Sequence, residues 1–399
     1  MKDYFRITPE GTKDLLFEEC LANRTVSAIL GSVFSHRGFH EVLTPGIEFY
    51  DLFSEEISGI PMESMFKMSD SKGRLMVMRP DSTLPIARMV TTRLMNERHP
   101  IRLYYNQRVY RYNPGLTGRS NEVMQTGIEL IGAKGKRADL ETITTAIEAL
   151  SKCVPDFRIE LGNAAFFKAV AKNLPVSDEE REEIRTLIES KNYSALNSVL
   201  DKLEHTQAVD VIRKLPGLFG GVEVLDEAYK LCDDEAAIKT LEYVREIYND
   251  LSKLGLGERL IIDLGLVQRN DYYSDIVFSG YVMGSGEPVL IGGRYDKLLD
   301  RFGLPAPAVG FGINVDALAR VMLERGNIPQ KQIPAILVHS EKGHEIEAIK
   351  YTMALSEANI LGENSVFETE EQALEYARYK GIKKLAIVGD EIKTINTGV

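Results

Sequence analysis

The sequence predicts an α+β fold: an antiparallel sheet flanked by helices, carrying a helical insertion and followed by a small α/β C-terminal domain. Three observations carry that reading. A long amphipathic pattern opens the chain and gives way to short strand-like runs joined by hairpin-length loops, the order expected of a helix packed on an antiparallel sheet. From about residue 164 to 255 the periodicity becomes almost wholly helical. Beyond the break Gly326-Asn327-Ile328-Pro329, a strand, two helices and a strand follow in quick succession.

Across residues 13–37 apolar side chains recur at Ala22, Val26, Ile29, Leu30, Val33 and Phe34, one face of a helix, and Gly38 supplies its stop. Residues 39–44 alternate towards Pro45 as a strand. Further strands are expected at 75–78, 101–112 and 123–130, with a helix over 83–98. In the insertion, Ser177-Asp178-Glu179-Glu180 has the form of a capping box. Strands return at 260–264, 272–281 and 289–291, and a helix spans 315–325. The core thus covers residues 1–325, with the insertion at about 164–255. The last domain, 333–399, reads as strand 335–338, helix 345–358, helix 369–379 and strand 384–388.

Composition excludes several functions. The 399 residues are 44 % apolar and 27 % charged, as expected of globular chains. With 48 Lys+Arg against 59 Asp+Glu the formal charge is −11, so the surface as a whole does not suit nucleic acid. Cys20, Cys153 and Cys232 lie far apart without paired spacing, which predicts neither disulfides nor zinc and points to a reducing, cytoplasmic setting. The six histidines are scattered, so no metal is expected. An apolar run of about 18 residues, the length a membrane helix needs, does not occur. The N-terminal stretch lacks the apolar core of a secretion signal.

Three clusters could carry chemistry. Arg102, Arg108, Arg111 and Arg119 fall in or beside strand-like sequence and could hold phosphate or carboxylate groups, or could simply be solvated. Arg79-Pro80-Asp81-Ser82-Thr83 delivers a carboxylate and two hydroxyls to a helix start, where Asp81 or Ser82 alone would read as a cap. Asp271-Tyr272-Tyr273, expected on a strand, precedes Gly292-Gly293-Arg294-Tyr295-Asp296, whose glycine pair permits either a close backbone approach or a bulge.

Taken in order, these segments resemble the core of a class II aminoacyl-tRNA synthetase, and specifically histidyl-tRNA synthetase. The resemblance spans roughly residues 1–325. It runs from Pro9-Glu10-Gly11-Thr12-Lys13-Asp14 through Arg79-Pro80-Asp81-Ser82-Thr83, Tyr110-Arg111, Gly118-Arg119, Gln125 and Gly127-Ile128-Glu129 to the tyrosine pair and the Gly-Gly-Arg-Tyr-Asp element. It implies a histidine-binding set of Asp81, Thr83, Arg111, Gln125, Glu129, Tyr272 and Tyr273. Glu129 and Tyr273 would pair the imidazole nitrogens, and Asp81, Thr83 and Gln125 would hold the α-amino group. A site that pairs every polar atom of its ligand rejects analogues lacking one.

The ATP side departs from that family. Arg111 matches the arginine of the second motif, but Asn113 replaces the glutamate that reads adenine. Ala317 stands where the third-motif arginine clamps phosphate, and Gln268 where an arginine assists activation. A retained amino-acid pocket beside a dismantled ATP site resembles the regulatory subunits of ATP phosphoribosyltransferase, a non-catalytic paralogous family. That resemblance implies a short-form catalytic chain as partner in the first step of histidine biosynthesis, histidine as allosteric effector, and self-association as a dimer within a hetero-octamer. It implies no cofactor, no nucleic acid and no membrane. The C-terminal domain agrees, since residues 333–399 carry seven basic against eleven acidic side chains, net −4. The competing readings are an active histidyl-tRNA synthetase and a stand-alone amino-acid-binding or kinase-regulating module on the same fold.

Overall fold

The structure, a computed structural model, describes residues 4–113, 120–267, 272–329 and 332–399. Two compact units divide at Ile328 and Pro329. The first opens with α1 (Phe17–His36), which buries Ala22, Val26, Leu30, Val33 and Phe34 along one stripe. Gly38, at φ +80°, ends it in the left-handed region that favours glycine.

The chain then forms β1 (His40–Glu41), much shorter than the expected strand, and a separate three-stranded antiparallel sheet of β2 (Ile47–Phe49), β3 (Lys67–Ser69) and β4 (Leu75–Met78). A one-turn helix, α2 (Glu55–Ser58), lies between its strands. Next come α3 (Thr83–Arg93), the long hairpin of β5 (Ile101–Tyr110) and β6 (Glu122–Ile131), then α4 (Lys136–Cys153) and β7 (Phe157–Asn163). Neither α4 nor β7 was expected from the sequence. The inner face of α4 is built of Ala138, Thr142, Thr145, Ala146 and Ala149 beside Ile143 and Leu150, so small and hydroxylated residues blur its apolar period.

The insertion comprises α5 (Ala164–Ala171), α6 (Asp178–Glu189), α7 (Tyr193–Leu200), α8 (Gln207–Lys214), the short β8 (Phe219–Gly220), α9 (Glu223–Leu231) and α10 (Glu235–Lys253). The capping box is present: the Ser177 hydroxyl accepts from the Glu180 N–H, and the Glu180 carboxylate accepts from the Ser177 N–H. Ser177→Ala is expected to destabilise α6 by about 1 kcal/mol, measured by urea unfolding followed by circular dichroism. The unit closes with β9 (Leu260–Asp263), β10 (Ile276–Val282), β11 (Leu290–Arg294), β12 (Ala308–Asn314) and α11 (Val315–Glu324).

The nine-stranded central sheet has the order β1-β5-β6-β12-β11-β10-β7-β9-β8. It is antiparallel except for β1 against β5 and β7 against β9. Both exceptions bracket long connections, the small sheet with α3 in one case and most of the insertion in the other, as parallel pairing requires. One face carries the larger core, where Phe34 of α1 meets Phe311 of β12 edge-on at 5.7 Å. The other face packs Leu103, Tyr105, Val277 and Ala308 with Leu84, Ile86 and Ala87 of α3. Along β5 buried and half-buried residues alternate for ten positions, so each face receives its own set.

Tyr272 and Tyr273 precede β10 rather than lying on it. A pleated strand sends neighbouring side chains to opposite faces. Both tyrosine rings instead enter the same core, with centroids 5.0 Å apart, and the ladder begins only after Ser274 N–H reaches the Arg294 carbonyl at 2.8 Å.

The second unit contains β13 (Ile336–Ser340), α12 (Glu345–Glu357), β14 (Gly362–Asn364), α13 (Glu370–Lys380), β15 (Lys384–Val388) and β16 (Ile392–Asn396). Its sheet order is β14-β13-β15-β16, parallel but for the last pair. β14 and β16 go beyond the sequence reading, being short edge strands with no buried residue, the first half-buried and the second mostly exposed.

Candidate functional site

Three adjacent strands make the floor of the site. β12 sets Gly312 opposite Gly127 of β6 and Gly310 opposite Glu129, and β11 sets Gly293 opposite Gly310. The absent side chains leave the room. A Cβ at Gly310 would run into the Glu129 carboxylate and the Ile128 carbonyl, one at Gly312 would lie 2.9 Å from Gln125 Nε2, and one at Gly293 would lie 2.7 Å from the Tyr273 ring. Gly310→Ala is expected to displace Glu129 and to destabilise the chain by about 1–3 kcal/mol through overpacking, read from the urea midpoint.

Glu129 is 2 % exposed. Its Oε1 accepts the Thr83 hydroxyl at 2.8 Å, and its Oε2 accepts the Tyr295 hydroxyl. Burial is the main force on this carboxyl and, with the nearby Asp81 carboxylate, pushes its pKa up to about 8 against the pull of the two hydroxyls. Each carboxylate oxygen has a second lone pair, so Glu129 can accept from a ligand while it keeps both partners.

The wall is aromatic. The Tyr272 ring lies 5.0 Å from that of Tyr273 and 5.7 Å, nearly perpendicular, from that of Tyr295. Burial holds the phenols of Tyr105, Tyr272 and Tyr295 well above their ordinary pKa, so all three remain protonated donors near neutrality. The Tyr105 hydroxyl donates to Gln125 Oε1 at 3.3 Å.

The Arg79-Pro80-Asp81-Ser82-Thr83 turn forms the rim. Asp81 Oδ1 accepts the N–H groups of Thr83 and Leu84 at 2.8 and 3.1 Å, so it caps α3. Burial raises its pKa, and the Arg111 guanidinium opposes the rise. Exposed Arg111 is tied to the same turn by Nε donating to the Pro80 carbonyl at 2.8 Å. Asp81, Thr83, Arg111, Gln125, Glu129, Tyr272 and Tyr273 are thereby brought together from four stretches of chain. Tyr105 and Tyr295 join them without having been singled out. Tyr295 sits inside the Gly-Gly-Arg-Tyr-Asp element and was the readable signal.

The arginine cluster does not form one anion site. Arg102 pairs with Glu141 of α4, at 3.0 Å between Nη2 and Oε2, and Arg108 with Glu122 at 3.2 Å. Strand alternation sets these two apart from Arg111 on its turn. Gly118 and Arg119 lie outside the described residues, as do Gln268 and Asp271. Asn113 donates its side-chain amide to the carbonyls of Arg111 and Ser120 at 3.3 and 3.1 Å. Ala317 occupies the first turn of α11, its N–H capped by Asn314 Oδ1 at 3.0 Å. Arg294 turns away from the pocket into a buried pair with Asp139 at 2.6 Å. Among the described residues no acidic, histidine and cysteine side chains group as a metal site, and no helix is long and apolar enough to cross a membrane.

A mostly antiparallel sheet with a glycine floor, a buried carboxyl between two hydroxyls and a motif-capped rim helix defines the core of a histidyl-tRNA synthetase-like class II protein. The family model described as histidyl-tRNA synthetase matches residues 11–318. Within that class the chain belongs to the ATP phosphoribosyltransferase regulatory subunit family. It is 41 % identical over 391 residues to the protein of that name from Clostridium kluyveri, covering 97 % of this chain and all of the relative. It is 38 % identical to that of Bacillus mycoides, covering 94 % and 90 %. Among solved structures, an ATP phosphoribosyltransferase regulatory subunit/histidyl-tRNA synthetase from Bacillus halodurans superposes with a TM-score of 0.84 at 26 % identity, over 98 % of this chain and 100 % of that one. A histidyl-tRNA synthetase from Nostoc, at 18 % identity over 98 % and 96 % of the two chains, shares the fold with a TM-score of 0.75.

Proposed function

We propose that the chain is a non-catalytic cytoplasmic subunit that binds histidine and regulates a short-form ATP phosphoribosyltransferase chain, which itself carries out the first step of histidine biosynthesis. The observation that carries this reading is Glu129, buried and held between Thr83 and Tyr295 with accepting capacity to spare. An imidazole N–H would donate to Glu129, Tyr273 would meet the other ring nitrogen, and Asp81, Thr83 and Gln125 would receive the α-amino group. Arg111, exposed at the rim, and Tyr272, in the wall, complete the set.

The non-catalytic part rests on three positions. Asn113 spends its amide on loop carbonyls, Ala317 carries no cation, and Gln268 replaces an arginine. Adenylation requires groups placed where charge develops on the phosphate, and these side chains do not supply them. Feedback needs a coupling of only about 1–3 kcal/mol between the histidine pocket and the partner's site. The expected assembly is a hetero-octamer of four regulatory and four catalytic chains containing a dimer of this one.

Calorimetric titration tests the reading: histidine is expected to bind at one site per chain, with no ATP-diphosphate exchange in its presence. Mixing with the catalytic chain should give a larger species by light scattering whose activity histidine lowers. Measurable exchange, or charging of histidine tRNA, would instead establish an active synthetase.

A further inference from the structure

We propose that the helical insertion carries a second binding site, for an organic anion with a flat apolar body, in the cleft between α5 and α6. A cavity of about 350 Å³ opens there, within the range of small-molecule pockets, roughly 300–1,000 Å³. Helical spacing builds its walls. On α5 and its C-cap, Phe167, Lys168, Ala171 and Lys172 fall on one face, and on α6 Asp178, Arg181, Glu182 and Arg185 do the same. The floor is apolar, with Phe167 and Ala171 buried and Val267 and Tyr273 closing the inner end.

The charge of the cleft runs against that of the molecule. Four cations and two carboxylates line it, whereas the whole chain carries −11. Both carboxylates are engaged within α6: Asp178 pairs with Arg181, and Glu182 chelates Arg185, whose guanidinium also lies 3.2 Å from Glu189. Arg181 is further fixed by Nε donating to the Ala171 carbonyl at 2.9 Å, which holds the end of α5 against α6. A preformed wall of this kind costs a ligand little ordering. A carboxylate, sulfonate or phosphate head meets Lys172 and Arg181 at the mouth, and an aromatic body lies over Phe167 towards Tyr273.

The cleft is distinct from the histidine pocket yet touches its wall. Lys168 Nζ donates to the Tyr273 carbonyl at 3.0 Å, while the Tyr273 ring belongs to the aromatic wall. An occupant therefore contacts the segment from which that wall hangs, whether or not histidine is bound.

These 399 residues contain no tryptophan, so a naphthalene probe can be excited without that background. In the presence of saturating histidine, 2-naphthoate is expected to bind one per chain, and uncharged 2-naphthylmethanol about tenfold more weakly. Lys172→Glu, on the exposed rim, should weaken naphthoate at least about fivefold while leaving naphthylmethanol and the circular dichroism spectrum unchanged. Ala164→Leu, which fills the cleft, should weaken both probes. Equal affinity for the two probes, an unchanged Lys172→Glu variant, or displacement of naphthoate by histidine would each overturn the proposal.

Discussion

Replacing Glu129 by alanine is expected to weaken histidine binding about a hundredfold. The loss has two parts. The ring of the ligand loses a hydrogen-bond partner, worth about 0.5–1.5 kcal/mol for the neutral carboxyl that a pKa of about 8 sets at pH 7. The hydroxyls of Thr83 and Tyr295, which now end on the two oxygens of buried Glu129, lose their acceptor, at about 1–3 kcal/mol for a buried group left unpaired. Some of that second cost falls on the empty protein as well, so about 3 kcal/mol reaches the binding constant, two factors of ten. Glu129→Gln keeps an oxygen and the volume and should lose only about tenfold. Titration calorimetry of the two variants at pH 7 checks both values, and alanine binding within threefold of the parent would remove Glu129 from the ring-recognising role.

The same carboxyl makes stability depend on pH. Its folded-state pKa of about 8 lies above the ordinary 4.5, so the folded chain holds the proton more tightly than the unfolded chain. The resulting stabilisation is complete below about pH 4.5 and is lost as the pH rises through 8. Within that window this one group lowers stability by up to roughly 1.4 kcal/mol per pH unit. Glu129→Gln should flatten this part of the profile.

Much of this was legible in the sequence where a local rule governs. The α1 stripe from Ala22 to Phe34 follows helical period, and the Ser177 to Glu180 box is a contact between residues three apart. α4 was hidden because its buried face is mostly alanine and threonine, which pack close to neighbours yet carry little apolar signal. The motif order proposed seven candidate residues but not the geometry that joins them. Glu129 and Tyr295 are 166 positions apart, and only the register of β6, β12 and β11 brings their strands into one floor. The tyrosine pair was misread as strand because alternation was assumed for residues whose rings share a core.

Arg294→Met should cost about 3–5 kcal/mol of stability, the most of any change considered, because it leaves a buried charge without its partner. Arg294 and Asp139 are 2 % and 0 % exposed. The guanidinium donates through Nε and Nη2 to Asp139 Oδ1 at 2.9 and 2.6 Å, and through Nη1 to the Ala133 carbonyl and to Asp296 at 3.1 and 2.8 Å. The second Asp139 oxygen takes the hydroxyl of Tyr243 from α10, so one ion pair ties the end of β11 to α4 and to the insertion. Removing both partners, as Asp139→Leu with Arg294→Met, should recover most of the loss, since apolar pairs of similar volume replace buried ion pairs at little cost. Urea unfolding of the two single variants and the double variant measures that coupling. Histidine titration of the double variant adds what stability cannot report. Tyr295 follows Arg294 directly, and its hydroxyl reaches Glu129 only while β11 is held in place. A double variant that regains stability but binds histidine several-fold more weakly would assign the pair to positioning Tyr295, and one that binds as the parent would confine it to folding.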